Sequence, residues 1–173
     1  GLVLGYVQSG KTTNYTAAIA KAADAGYALF IVLSGIHNAL RQQTQDRLDQ
    51  QLFDEYRPDW HRLTAEHDFR PPPSVDALLT PSDKKVLAVV KKNGARLRAL
   101  RDWLQSAHPD TLAACPVLII DDEADQASIN TAKGDSSPTT INGLIRQIIA
   151  LLPKASYVGY TATPFANVLI DPS

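Results

Sequence analysis

An eight-residue motif near the start of the chain constrains its fold more than any other feature. Residues 5–12 read Gly-Tyr-Val-Gln-Ser-Gly-Lys-Thr, which satisfies the pattern G-x-x-x-x-G-K-[ST] of a Walker A loop at every defined position. The apolar run at 2–7 predicts a strand, and residues 11–25 predict a helix that Gly26 ends. A glycine-rich loop between a strand and a helix is typical of phosphate binding, because backbone N–H groups and the helix N-terminus attract anions.

The loop supplies a defined set of candidate ligands for a nucleoside triphosphate. The predicted nucleotide-binding residues are Gly5, Gln8, Ser9, Gly10, Lys11, Thr12 and Thr13. Lys11 is expected to bridge the β- and γ-phosphates and to act in catalysis, and the Thr12 hydroxyl is expected to bind Mg²⁺. The sequence therefore predicts that the protein binds a nucleotide and Mg²⁺ as cofactors.

Strand-like apolar runs alternate with helical patterns along most of the 173 residues. Strands are predicted at 2–7, 28–33, 85–90, 117–121 and 156–160, and helices at 11–25, 38–53, 94–106 and 141–151. This alternation indicates a parallel sheet covered by helices. The predicted fold class is α/β: a RecA-like P-loop NTPase core with three αβα layers. Residues 1–173 are expected to form a single ATP-binding lobe and a fragment of a longer protein, because the chain opens inside a strand without Met.

The alternating pattern is interrupted at 54–83, where prolines such as Pro71 lie among charged residues and no strand is predicted. We interpret this segment as a Pro-rich insertion. It is either a loop that carries specificity or a surface excursion without chemistry. A loose nuclease-like pattern, Pro58-Asp59 with Asp83-Lys84-Lys85, spans it, but such patterns arise easily in polar loops.

A second motif places carboxylates at the end of an apolar strand, where α/β sheets build their sites. Residues 117–121 predict that strand, and 122–125 read Asp-Glu-Ala-Asp, a DEAD-type acidic box. Asp122 is the favoured Mg²⁺ residue and Glu123 the catalytic residue that polarises the attacking water. Asp121 remains the alternative for the metal, because one sequence cannot establish the register. So many adjacent carboxylates repel one another unless a cation or basic groups lie among them.

The last predicted strand leads into a third motif, which reads Tyr-Thr-Ala-Thr-Pro at 160–164. It resembles the Ser-Ala-Thr motif of superfamily-two helicases, which links the nucleotide site to movement on nucleic acid. Thr161, Ala162 and Thr163 would form this coupling motif. The alternative is a threonine-lined turn before proline.

The motifs together resemble one family. Residues 5–12, 34–38 with Arg41 and Gln42, 119–130 and 157–167 are similar to the Z-one domain of bacterial proteins classed as endonucleases. That resemblance covers nearly the whole chain except the Pro-rich segment. It implies a superfamily-two helicase-like ATPase that uses ATP and Mg²⁺ and is linked to DNA restriction, repair or phage defence. The implied partners are DNA, with RNA as the alternative, and a second RecA-like lobe of the same parent chain.

The same comparison places residues 34–41 where helicases contact the nucleic-acid backbone. Ser34, His37, Asn38 and Arg41 are the candidate contacts, since such contacts position a strand without recognising bases. The alternative is structural: Asn38 would cap the following helix and His37 would be a polar turn residue. With a formal net charge of −1, nucleic acid would have to bind a local basic face.

The expected function is the ATP-binding and hydrolysing lobe of a helicase-like DNA translocase or remodelling protein. The alternative is a nucleotide-dependent switch that recruits a partner without translocating. By comparison with superfamily-two enzymes, we expect the adenine-contacting segment and the second lobe with its arginine finger to lie outside these residues, and we therefore expect little hydrolysis from this lobe alone. A single cysteine, Cys115, and the absence of an apolar run of about 18 residues favour a cytoplasmic protein without a membrane partner.

Overall fold

The structure, a computed structural model, describes residues 1–4, 10–53, 60–80, 84–124 and 138–161. Its centre is a six-stranded sheet in which every strand pair is parallel. The strands are β1 (Leu2–Leu4), β2 (Leu29–Ser34), β3 (Trp60–Arg62), β4 (Lys85–Lys91), β5 (Val117–Asp122) and β6 (Ala155–Thr161). Their order across the sheet is β1-β6-β5-β2-β4-β3. The predicted α/β class with a parallel sheet is confirmed.

Helices cover both faces of this sheet. They are α1 (Lys11–Asp24), α2 (Asn38–Leu48), α3 (Asp76–Leu79), α4 (Gly94–Gln105), α5 (Pro109–Ala114) and α6 (Pro138–Ala150). A π-helical turn, Asp49–Phe53, continues α2. Among the described residues, no helix combines the length and the apolar character that crossing a bilayer requires.

The core consists of two clusters, one on each face of the sheet. The cluster between the sheet and helices α4 and α6 includes Leu29, Ile31, Leu97, Val117, Ile119 and Ile145. The cluster between the sheet and helices α1 and α2 includes Tyr15, Phe30, Val32, Leu48, Leu118 and Ile120. Successive residues of a strand point to opposite faces, and both faces are covered, so the central strands are mostly apolar, with polar residues such as Ser34, Asp121 and Asp122 at their carboxyl ends.

The Pro-rich segment contributes to the sheet and the core. The expectation of no strand in this segment was wrong. β3 is an outermost strand of the sheet and pairs with β4, with Trp60 opposite Lys85. Phe69 and Val75 are buried with α4 and α6, and the Pro72 carbonyl accepts a hydrogen bond from the Trp103 indole at 3.0 Å. The strand escaped prediction because it is short and two of its three residues are exposed. Residues 54–59 and 81–83, with Pro58, Asp59 and Asp83 of the nuclease-like pattern, lie outside the described residues.

The single cysteine provides a direct test of core packing. Cys115 is 3% exposed, and burial raises the pKa of its thiol to about 11, although the Lys154 charge opposes the shift. Because the thiolate is the reactive form, we expect labelling by a disulfide reagent at pH 8 to be at least about 100-fold slower in the folded chain than in urea. Equal labelling rates in the two states would contradict the buried placement.

Candidate functional site

The carboxyl ends of five strands meet at one edge of the sheet. Leu4 of β1 lies opposite Thr161 of β6, and Asp122 of β5 lies opposite Tyr160. The end of β2 lies opposite the end of β4, with Ser34 paired to Lys91. In the described sheet, β1, which precedes the phosphate-loop motif, and β5, which carries the acidic box, are thus separated by β6 alone.

The N-terminus of α1 lies at this edge because the helix follows β1. Gly10 precedes the helix with φ 76°, a left-handed conformation that suits glycine, and its carbonyl accepts a hydrogen bond from Asn14 N at 3.1 Å. Lys11 and Thr12 form the first positions of α1, and Thr13 is exposed. The other predicted loop residues, Gly5, Gln8 and Ser9, lie outside the described residues.

Two tyrosines pack α1 against the acidic strand. Tyr15, which is fully buried, directs its hydroxyl at Asp122 Oδ2, 3.4 Å away. Its ring meets the edge of Tyr160, with 5.4 Å between ring centroids, and the Tyr160 hydroxyl donates to Asn14 Oδ1 at 2.8 Å. Burial, followed by the charge of Asp122, raises the pKa of Tyr160. The Asp122 carboxylate therefore lies on the face of the sheet that α1 covers.

The neighbouring carboxylate, Asp121, points to the opposite face. It is 2% exposed; Oδ1 accepts a hydrogen bond from Lys92 Nζ at 2.7 Å, and Oδ2 accepts one from the Tyr157 hydroxyl at 2.6 Å. Burial, followed by the charge of Asp121, raises the pKa of Tyr157, which keeps this hydroxyl protonated as a donor. Both oxygens of Asp121 are thus bound on the side away from α1.

Lys92 also binds the backbone of residues 122–124, the acidic turn that follows β5. Its side chain is 1% exposed, and Nζ donates to the carbonyl oxygens of Asp122 and Glu123, each at 2.7 Å. Glu123 has φ 59° and is the one non-glycine residue with positive φ in the described chain. Ala124 N donates to Tyr160 O at 2.9 Å. Sequence reasoning missed Lys92; the only signal was that the clustered carboxylates needed a basic neighbour.

A basic groove opens at the same sheet edge, beyond β2. Its volume is about 700 Å³, and its lining includes Arg41, Glu66, Asp68, Arg70, Lys91 and Arg96. Arg41 is 3% exposed; Nη2 donates to Ala65 O at 2.9 Å and Glu66 O at 3.0 Å. Its Nη1 atom and Asp68 Oδ2 are buried without hydrogen-bond partners among the described residues. Four basic and two acidic side chains give this groove a local positive charge.

The four candidate nucleic-acid contacts lie in different environments. Asn38 and Arg41 line the basic groove, with Asn38 Oδ1 accepting from Lys91 Nζ at 2.6 Å. His37 is exposed at the N-cap of α2, and its side chain makes no capping hydrogen bond there. Ser34 is fully buried and its hydroxyl donates to Val90 O at 3.4 Å. Asn38 and Arg41 therefore line the groove, whereas the buried Ser34 side chain is not among its lining residues.

The fit of a metal ion depends on the carboxylates near α1. In the described parts of the chain, no group of three His, Cys, Asp or Glu side chains is arranged to hold a metal. Mg²⁺ at nucleotide sites is usually bound by one or two carboxylates together with phosphate oxygens and water. The half-buried Asp122 carboxylate beside α1 fits that role. Asp125, Ala162 and Thr163 lie outside the described residues, and Thr161 is the buried last residue of β6.

No protein-family model matches the chain, and no curated protein matches it.

Proposed function

We propose that this chain is the ATP-binding and hydrolysing lobe of a helicase-like motor that acts on DNA. The observation that carries the proposal is the contact between Tyr15 of α1 and Asp122 of β5. It brings a carboxylate that could hold Mg²⁺ to α1, the helix that begins at Lys11 within the phosphate-loop motif. A helix N-terminus favours phosphate, and a carboxylate beside it favours the accompanying Mg²⁺.

The RecA-like form of the fold is part of this proposal. In additional-strand NTPases one strand lies between the phosphate-loop strand and the acidic strand, and β6 has that position here. The same strand ends at Thr161, the first residue of the Thr-Ala-Thr motif. A coupling motif at this place would lie between the two halves of the nucleotide site.

The side-chain directions support distinct roles for the two aspartates. Asp121 has both oxygens bound by Lys92 and Tyr157, so it is a structural residue in this proposal. Asp122 faces α1 and would hold Mg²⁺ together with the Thr12 hydroxyl. Glu123, the next residue, would polarise the attacking water, and Lys11 would neutralise the phosphates.

DNA is the proposed partner because the basic groove supplies local positive charge in a chain whose formal net charge is −1. Phosphate contacts of this kind position a strand without selecting its sequence. The resemblance to the Z-one family, which rests on the motifs alone, is the support for a role in restriction, repair or phage defence.

Nucleotide binding is tested by titrating the intact protein with a fluorescent ATP analogue, with and without Mg²⁺. We expect saturable, Mg²⁺-dependent binding that Lys11→Ala weakens about 10- to 150-fold, because a hydrogen bond to a charged group contributes roughly 1.5–3 kcal/mol. At about 100 times its dissociation constant, the nucleotide should also stabilise the folded protein by roughly 2.7 kcal/mol. The matched control is Lys21→Ala, an exposed lysine in the last turn of α1, which should bind normally. Equally poor binding by wild type and Lys11→Ala would end the motor hypothesis.

The motor activity itself is tested by hydrolysis in the intact protein with and without DNA. Stimulation by DNA is the expected result. Stimulation by a protein partner with none by DNA or RNA would instead select the partner-recruiting switch.

A further inference from the structure

We infer that Lys92 is a positioning residue for nucleotide hydrolysis. It holds the acidic turn so that the side chains of Asp122 and Glu123 face the nucleotide. The inference rests on the proposed function, because it assigns Lys92 a role in that same site. Lys92 lies directly after β4, in a different part of the chain from the acidic turn that it binds. It belongs to none of the three sequence motifs.

All three donors of the Lys92 ammonium have acceptors at 2.7 Å. Only one of these acceptors is the Asp121 carboxylate. The other two are the successive carbonyl oxygens of Asp122 and Glu123. Two carbonyls held by one atom restrict the peptide planes on both sides of Glu123, and with them the direction of its side chain.

The backbone of Glu123 needs such restraint. A non-glycine residue at φ 59° is strained by about 1–3 kcal/mol and keeps that conformation only when its surroundings enforce it. Lys92 holds the Glu123 carbonyl, and Tyr160 O holds the following amide, Ala124 N. Without the ammonium, the turn should relax and move the Glu123 carboxylate. A displacement of about 1 Å in a catalytic group can lower a rate by roughly 100-fold.

A purely structural role makes a different prediction. If Lys92 only neutralised the buried charge of Asp121, removing both charges together would leave hydrolysis unchanged. The double variant Lys92→Met/Asp121→Asn removes both charges and keeps an amide oxygen to accept from Tyr157. It therefore isolates the loss of the two carbonyl contacts. Lys92→Arg is a second variant: it keeps the charge, but its planar guanidinium cannot reproduce a point charge with three donors.

The first measurement is DNA-stimulated hydrolysis and nucleotide affinity in the intact protein. For the double variant we expect kcat to fall about 100-fold while the dissociation constant of the nucleotide changes by less than about threefold. Lys92→Arg should lower kcat by at least about tenfold in the same way. The control is Thr64→Val, which removes a buried hydroxyl bonded to Gln45 and Val89 N and should keep the wild-type kcat. Full kcat in a folded double variant, or in Lys92→Arg if the double variant does not fold, would overturn the inference.

A second measurement does not depend on catalysis. The Ala124 amide, bonded to Tyr160 O, should be protected from hydrogen exchange in wild type and should exchange at least about tenfold faster in either Lys92 variant. The Val117 amide, bonded to Lys154 O at the other end of β5, serves as the internal reference. If wild type hydrolyses no nucleotide, the proposed function fails, and the Ala124 amide still decides whether Lys92 holds the turn. Unchanged Ala124 exchange would show that it does not.

Discussion

Glu123→Gln is expected to bind Mg²⁺ and nucleotide normally while hydrolysing it about 10²- to 10⁴-fold more slowly, the usual contribution of a general base. The amide has nearly the same size as the carboxylate, and the backbone strain at φ 59° is the same for both residues. The change therefore removes the ability to polarise water and little else. Single-turnover hydrolysis in the intact protein, measured beside a nucleotide titration, separates the two effects.

Two further variants serve as controls for the effect of Glu123→Gln on hydrolysis. Asp24→Asn changes an exposed carboxylate at the last position of α1, far along the chain from the acidic box, and should hydrolyse at the wild-type rate. Asp122→Asn should instead raise the Mg²⁺ concentration that nucleotide binding requires, because the substitution removes the carboxylate proposed to bind the metal. A Glu123→Gln protein with full activity would exclude Glu123 as the base.

The second large effect is on stability. Lys92→Met alone leaves the Asp121 carboxylate buried without its counter-charge, and breaking a buried pair in this way typically costs about 3–5 kcal/mol. Urea unfolding of wild type and variant, followed by fluorescence, measures the difference. Adding Asp121→Asn should recover much of the loss, because the uncompensated charge is then gone.

A more exposed ion pair provides the comparison for the stability cost of breaking the buried Lys92–Asp121 pair. Arg101 and Asp102 lie 2.6 Å apart with side chains that are 23% and 60% exposed. Arg101→Met should therefore cost less than about 1 kcal/mol, as surface pairs usually do. Equal costs for Arg101→Met and Lys92→Met would refute the argument from burial.

Much of the fold could be predicted because its strands are buried on both faces. The predicted strand at 28–33 is Leu29–Ser34 in the structure, and the predicted helix at 94–106 is Gly94–Gln105. Local chemistry marks such boundaries: Asn93 caps the helix by accepting from Arg96 N at 2.8 Å. Continuous apolar runs and capping residues are properties of neighbouring positions, so the sequence displays them.

The parts that escaped prediction depend on contacts between distant positions. The sequence left Asp121 and Asp122 as alternatives because only the packing of α1 and α4 on opposite faces distinguishes them. Lys92 looked like any other lysine at the end of a strand. Arg41 was named as a candidate nucleic-acid contact, but the sequence did not indicate that it would be 3% exposed or that it would bind the carbonyl oxygens of residues 65 and 66. Tertiary contacts of this kind have no local pattern.

The pairing of β1 with β6 also determines when the site can form during biosynthesis. Among the described strands, the first to leave the ribosome pairs only with the last, with Leu2 opposite Gly159. Contacts between such distant positions close late in folding, after the loop between them has been ordered. A nascent chain that has not yet delivered β6 therefore carries the phosphate-loop motif on an unpaired strand. The proposed nucleotide site can therefore be completed only after β6 has been synthesised.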